Sequence, residues 1–236
     1  MQITMIGHST VLIETGGQKI ITDPYFGVGG NIAYARLAPP AKIREEVRDV
    51  NLVLISHNHW DHTDPRFLRA LGEDVPVLAP RWAKWLTKLQ GAKTLIGMKA
   101  WEEKRFGTVT VTAVPALHLA VTNGYVIESE EKRSYFAGDT CHRPFMKEIG
   151  RRFQLDVALM PVTTFRIPMT MGEKGAVRAV RDLRPKVVIP IHLGIKPRSP
   201  LLRTKHSPDG FAQRVRKAGL EVEIVNLKEG ESWSLQ

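Results

Sequence analysis

The chain of 236 residues is 43% hydrophobic and 25% charged, an ordinary globular composition able to fill a sizeable core. No apolar run approaches the roughly 18 residues that a membrane helix needs, the opening "MQITMIGHSTVLIE" lacks the charged-then-apolar order of a signal peptide, and a lone Cys141 excludes an intrachain disulfide, so a soluble cytoplasmic protein is expected. The formal charge of +10 favours anionic partners, although its lysines and arginines are spread along the chain without a block of like charge.

Residues 2–6, 10–15 and 18–22 alternate or are β-branched, and "TGGQ" reads as the turn before the third run, so a meander of three strands is expected. A loop rich in Gly, Ala and Pro occupies 24–41; it is too long for a plain connector, and such loops tend to build sites. A buried strand at "NLVLIS" follows, then a helix after Asp64 with Pro65 at its first position, then a second helix from Pro80 to Gly91. Hairpins are expected at 101–116 and 123–138. "QLDVALMP" and "PKVVIPIH" read as buried strands, and between them Ala176, Val177, Val180 and Leu183 recur at helical spacing. A helix over 208–218 and strands at "LEVEIVNL" and "ESWSL" close the chain. Strands in two sets with helices between them predict sheet layers covered by helices, in one domain over 1–236 with no dividing linker.

The chemistry concentrates in "SHNHWDH", which holds three of the eight histidines directly after a buried strand. His57, His59 and Asp61 alternate, so on a continuous strand they would face one way and His62 another; a loop could gather all four around two neighbouring centres. Imidazole nitrogens with a carboxylate suit zinc, manganese or iron better than calcium or magnesium. Asn58 and Trp60 read as spacers. His118, Asp139 and His192 each end an apolar, strand-like run, and strand ends gathered on one edge would focus these donors on one cleft. His8 of "GHST" also follows a strand, with a structural role equally open. No G-x-S-x-G elbow is present, and Cys141 reads as a small neighbour of "GDT" and not as a nucleophile.

"HNHWDH" resembles the H-x-H-x-D-H signature of the metallo-β-lactamase superfamily, with His118, Asp139 and His192 standing where its later ligand motifs fall. Within it, "GHSTVLIE", "FAGDT", "PFMKEIGRRF" and "DVALMP" are similar to the branch of N-acyl-phosphatidylethanolamine-hydrolysing phospholipase D and ascorbate-phosphate lactonase, while "TTFRIPMTM" departs from it on the substrate side. The resemblance implies an α/β fold, a four-layer αβ/βα sandwich of two mostly antiparallel sheets packed face to face with helices outside. It implies two divalent ions, zinc first, with His57, His59 and His118 on one, Asp61, His62 and His192 on the other, and Asp139 bridging. Asp23 would stand behind a liganding histidine and accept its ring N–H, and His8 would face the cleft beside it. Asp61 would orient the attacking water, and His142 is a candidate acid near the leaving group; His206 lies outside every motif.

The activity so implied is hydrolysis by a hydroxide held between two metal ions. A phosphodiester or phosphorylated small molecule is the first expectation, with Arg143, Arg166, Lys196 and Arg198 as anion contacts. Hydrolysis of a lactone or ester is the alternative, and an uncharged, apolar pocket would favour it. A nucleic-acid-processing role is disfavoured, because the stretch from Asp139 to His192 is too short for the domain that one nuclease group inserts there. A small anionic substrate, with peripheral lipid contact open, is the expected partner.

Overall fold

A computed structural model describes residues 1–130 and 132–235. The N-terminal meander forms as expected: β1 (Gln2–Gly7), β2 (Thr10–Thr15) and β3 (Gln18–Thr22) pair antiparallel, and Gly16 and Gly17, at φ 54° and 72°, close the second hairpin with the positive angles a tight two-residue turn demands. There follow β4 (Tyr34–Arg36), β5 (Leu52–Leu54), α1 (Pro65–Ala70), β6 (Pro76–Pro80), α2 (Lys84–Leu89) and β7 (Thr94–Met98). The two predicted hairpins are β8 (Glu103–Phe106) with β9 (Val109–Pro115), and β10 (Asn123–Ser129) with β11 (Lys132–Phe136). The last third holds α3 (Phe145–Phe153), β12 (Val157–Pro161), α4 (Glu173–Leu183), β13 (Val187–Ile191), β14 (Ile195–Pro197), α5 (Pro208–Lys217), β15 (Glu223–Ile224) and β16 (Ser232–Ser234).

Two seven-stranded sheets result, in the orders β16-β1-β2-β3-β5-β6-β7 and β15-β13-β12-β11-β10-β9-β8, with β14 and β4 as a separate ribbon. The pairing is mixed and not mostly antiparallel. Each sheet has three antiparallel pairs at one side and three parallel pairs at the other. The helix-bearing segments explain this, since a strand that returns through α1, α2, α3 or α4 re-enters parallel.

Alternation within each strand divides the apolar residues among three cores. Ile3, Ile13, Leu52 and Leu54 from the first sheet meet Val111, Tyr125, Leu159 and Ile189 from the second. Their neighbours Val53 and Ile55 turn outward to Phe67 and Leu68 of α1, while Val126, Ala158 and Val188 turn to Met146, Ala176 and Phe211 of α3, α4 and α5. Three cores between four layers are the αβ/βα sandwich. Phe67 and Leu68 are fully buried, which favours folding by roughly 1.5–3 kcal/mol each. Asp64 starts α1 by accepting from Arg66 and Phe67 backbone N–H groups, and its other oxygen takes the Arg44 guanidinium at 2.6 and 2.9 Å. This cap ties down the chain directly after "SHNHWDH".

Three local expectations change. Pro80 ends β6, and the helix expected from it is a single 3-10 turn at Arg81–Ala83 leading into the shorter α2. β6 and β7 were not legible as strands, and "PFMKEIGRRF", noted only as a motif, contains α3. The 24–41 loop contributes β4, which pairs with β14 over the site.

Candidate metal centre

β1, β3 and β5 of the first sheet run in one direction, as do β9, β11, β12 and β13 of the second. Their C-terminal ends therefore meet at one edge. There His8 follows β1, Asp23 follows β3, the "SHNHWDH" loop follows β5, His118 follows β9, Asp139 follows β11 and His192 follows β13. His8, Asp23 and His192 have left-handed backbones, at φ 60°, 35° and 63°. A left-handed residue other than glycine costs roughly 1–3 kcal/mol, so three of the donor-bearing positions carry strain that the surrounding packing must hold. Gly138 lets the two sheets close: a Cβ there would lie within 2.4 Å of the Ser56 Cβ.

One group of donors is His57, His59 and His118. Nδ1 of His59 lies 2.9 Å from Nε2 of His57 and 3.2 Å from Nε2 of His118. The other is Asp61, His62 and His192, with Asp61 Oδ2 at 3.9 Å from His62 Nε2 and 4.0 Å from His192 Nε2. Asp139 touches both: Oδ2 is 3.7 Å from His118 Nε2 and 3.1 Å from His192 Nε2, and Oδ1 is 3.5 Å from His62 Nε2. The seven side chains named from the resemblance thus lie together at this edge, with His8 beside Asp61, His62 and His192, and Asp23 beside His57 and His62.

Hydrogen bonds behind the rings fix what each presents. Asp23 accepts from His62 Nδ1 at 2.6 Å, from Ser56 N at 2.6 Å and from the Ser56 hydroxyl at 2.5 Å; that hydroxyl in turn accepts from His57 Nδ1 at 2.9 Å. His118 Nδ1 donates to the Met169 carbonyl at 2.8 Å. With the proton held on Nδ1, His57, His62 and His118 each turn an Nε2 lone pair into the site. Asp23, expected behind one histidine, supports two.

The arrangement fits a cation. Donors roughly 2.0–2.1 Å from a tetrahedral ion lie roughly 3.4 Å apart, the spacing seen among most of these atoms. His62 Nε2 and Asp139 Oδ1 are buried without any hydrogen-bond partner, although they face each other at 3.5 Å. A lone pair against a carboxylate oxygen is repulsive, so this approach calls for a positive charge between them, either a proton on Nε2 or a bound cation. Burial, and then the neighbouring rings, hold His59 below the ordinary histidine range; burial likewise lowers His57 and His118, so all three are neutral. Burial opposes charge on His62 as well, but the carboxylates of Asp139, Asp23 and Asp61 outweigh it and raise this ring, so without a metal it holds a proton that a bound cation would have to displace.

Residues 18–193 match the family model described as "Beta-lactamase superfamily domain". A "UPF0173 metal-dependent hydrolase" of Archaeoglobus fulgidus is 30% identical over 99% of this chain and 98% of its own, and another, of Pelotomaculum thermopropionicum, is 33% identical over the full length of both. The chain belongs to the metallo-β-lactamase superfamily. It is similar along its whole length to Igni18, a metallo hydrolase from the hyperthermophilic archaeon Ignicoccus hospitalis, at 25% identity, a TM-score of 0.80 and coverage of 100% and 99%. It is a metal-dependent hydrolase of this fold.

The hydrolase's donors open into a cavity of about 160 Å³ whose other walls are Tyr34, Trp60, Phe165, Met169 and Ile195. Tyr34 stacks on Phe165 at 5.2 Å and on Trp60 at 6.3 Å, forming a continuous aromatic wall. Trp60 is therefore part of the pocket and not a spacer. Asn58 has a role too, donating to Thr87 at 2.8 Å and Gln90 at 2.7 Å and so tying the loop to α2. Tyr34 and Phe165 were not legible, because the first opens a strand of only three residues and the second is a single aromatic in an irregular segment.

The remaining sequence candidates lie elsewhere. Among the described residues no Lys or Arg lines this cavity. Arg143 is exposed on a separate cavity shared with His142 and His206, and Arg166 is exposed. Lys196 lines an adjoining cavity of about 330 Å³ that shares Phe165 and Ile195. Arg198 donates to the Asn31 and Gly29 carbonyls and so braces the 24–41 loop. His142 gives Nε2 to Asp182 of α4 at 2.7 Å and is not among the residues lining the donor pocket, so the leaving-group role expected of it finds no support. Burial raises the Cys141 thiol, consistent with an inert neighbour. Among the described residues no helix is long and apolar enough to cross a membrane.

Proposed function

We propose that this hydrolase cleaves an uncharged carbonyl-type electrophile, an ester, lactone or thioester, carrying an apolar or aromatic group. The observation behind this reading is the aromatic and aliphatic wall facing the donors, with no Lys or Arg to meet an anionic scissile group. The +10 charge, which had favoured a phosphodiester, lies outside the donor pocket. At about 160 Å³ the pocket takes a scissile group and little more, and the adjoining cavity past Phe165 and Ile195 has room for the rest of the substrate.

In this reading His57, His59 and His118 would hold one ion and Asp61, His62 and His192 the other, with Asp139 able to serve both; the donor set suits zinc, with manganese or iron also accommodated. When bound, such a pair supplies a water of lowered pKa and a Lewis acid for the substrate oxygen. The chain's own work is positioning. Asp23 locks the tautomer of His62 directly and that of His57 through the Ser56 hydroxyl, Met169 locks that of His118, and Asp61 would orient the attacking water. The wall of Tyr34, Trp60 and Phe165 seats the substrate and excludes bulk water, which strengthens every interaction within.

A phosphoryl substrate is the second reading, supported by Lys196 in the adjoining cavity and by the resemblance of "GHSTVLIE" and "FAGDT" to the phospholipase D branch. Zinc-loaded protein assayed on p-nitrophenyl butyrate, a γ-lactone, an acyl thioester and bis-p-nitrophenyl phosphate separates the two. Relative to its uncatalysed hydrolysis, a carbonyl substrate should exceed the phosphodiester in kcat/KM by at least about tenfold, a difference of roughly 1.4 kcal/mol in transition-state binding. The reverse order would sink the carbonyl reading.

A further inference from the structure

His8 stands beside Asp61, His62 and His192 with a ring nitrogen close enough to join them as a ligand. Its surroundings decide between ligand and support. The backbone N–H of Gly194 donates to His8 Nδ1 at 3.2 Å. A nitrogen that accepts carries no proton, so the proton of the uncharged ring is on Nε2, and a protonated Nε2 has no lone pair to give a metal. The opposite tautomer would set two N–H groups against each other at Gly194. Nε2 is buried with no hydrogen-bond partner, and Asp61 Oδ2, 3.4 Å away, is a charged acceptor within ion-pair distance that a small rotation would bring into line. That same Asp61 oxygen faces His62 and His192.

The position is built from both sheets. His8 is 2% exposed, its left-handed backbone offers its carbonyl to His192 N at 3.0 Å, and its ring packs 4.2 Å from that of His192. A Cβ on residue 194 would come within 2.8 Å of the His8 Cβ, so Gly194 admits the ring.

We infer that His8 is a positioning residue whose Nε2–H holds Asp61 toward the second set of donors, and that it is not itself a metal ligand. This rests on reading the cluster as a metal centre. Two substitutions test it. His8→Gln keeps both functions, an oxygen to accept from Gly194 and an N–H to give Asp61, yet an amide is a poor ligand for zinc. His8→Asn suits the left-handed backbone but is too short to reach Asp61. Zinc equivalents per chain and the dissociation constant of the weaker equivalent, measured by chelator competition, are compared with those of His192→Ala.

His8→Gln should bind as many equivalents as the unsubstituted protein, whereas His8→Asn should weaken one of them by roughly 10–100-fold, the usual cost of losing a residue that orients a ligand. His8→Gln losing an equivalent as fully as His192→Ala would make His8 a ligand and overturn the inference. So would unchanged affinity in His8→Asn, which would leave Asp61 in no need of support. Both failures leave the metal centre standing. An unsubstituted chain that binds no zinc would overturn the metal reading, and this inference with it.

Discussion

The sandwich has two ends, and they use the same strands in opposite ways. At one, six strands stop on His8, Asp23, the "SHNHWDH" loop, His118, Asp139 and His192, around a cavity of about 160 Å³. At the other, β1 begins, β2 turns into β3 and β16 ends, around a larger cavity of about 560 Å³. The larger one has no convergence: its charged side chains, Glu14 and Lys19, stand opposite each other in register across β2 and β3, and the Lys19 ammonium turns away to Asp49 at 3.3 Å. Volume therefore does not locate the chemistry. Strand direction does, because co-directed strands bring their C-terminal residues to one edge of both sheets, while hairpin turns at the other edge need only close the chain.

The hardest blow to that contrast falls on the donor end. His59→Ala removes the nitrogen that lies between His57 and His118. It should abolish one metal equivalent and lower kcat/KM by more than the roughly 10–100-fold that losing a supporting residue costs. The metal-free fold should barely change, since the His59 ring is only partly buried. Full metal content with full activity would mean that the convergence serves some other purpose.

Removing metal makes the donor end sensitive to acid. Burial places His57, His59 and His118 below the ordinary histidine value in the folded chain and pushes His8 down to about 3. The unfolded chain, with histidines near 6.5, then binds more protons, so these four contribute stability that is present above roughly pH 6.5 and lost below it. His62 is raised and acts oppositely: its contribution is complete below that pH and fades as pH rises through its folded value. Asp61 and Asp139 are held low by the surrounding histidines despite their burial, and their contribution persists through this window. Asp23, raised by its burial, acts in the same direction as His62, and four against two gives a melting temperature of the chelator-stripped protein that falls between pH 7 and pH 5. A flat or rising profile would show that the rings are charged when folded.

What could be read from sequence follows the same contrast. The meander, the hairpins and the helix at Pro65 announce themselves by alternation, paired glycines and Asp64-Pro65, which are local signals. His57, His59, Asp61 and His62 were legible because four donors fall in six residues, and His118, Asp139 and His192 because each ends a strand-like run. β6 and β7 were missed because β6 begins and ends on proline and both are short parallel strands whose pairing is non-local. The aromatic wall was missed for a related reason: Tyr34 and Phe165 are 131 positions apart, and their contact joins β4 to the loop after β12, a pairing that no local pattern announces. The cationic residues misled, since a charge near a motif in sequence says nothing of which way its side chain leaves the sheet edge. Arg198 reaches back to brace a loop.

The smallest expected effect is at the other end. Gly17, at φ 72°, has open space where a Cβ would go, so Gly17→Ala strains the backbone without a clash. A left-handed alanine costs roughly 1–2 kcal/mol, which for a chain of this size lowers the melting temperature by roughly 2–8 °C. The turn is not isolated from the second sheet, because the Thr108 hydroxyl donates to the Gly16 carbonyl at 2.6 Å. Yet from this turn the donors are reached only through the length of rigid, paired strands, and metal affinity and kcat/KM should both stay within about twofold of the unsubstituted values, a difference of roughly 0.4 kcal/mol. A larger change in either, measured well below the melting temperature, would show that the distal hairpin sets the register on which the metal edge depends, and that the two ends are one mechanical unit.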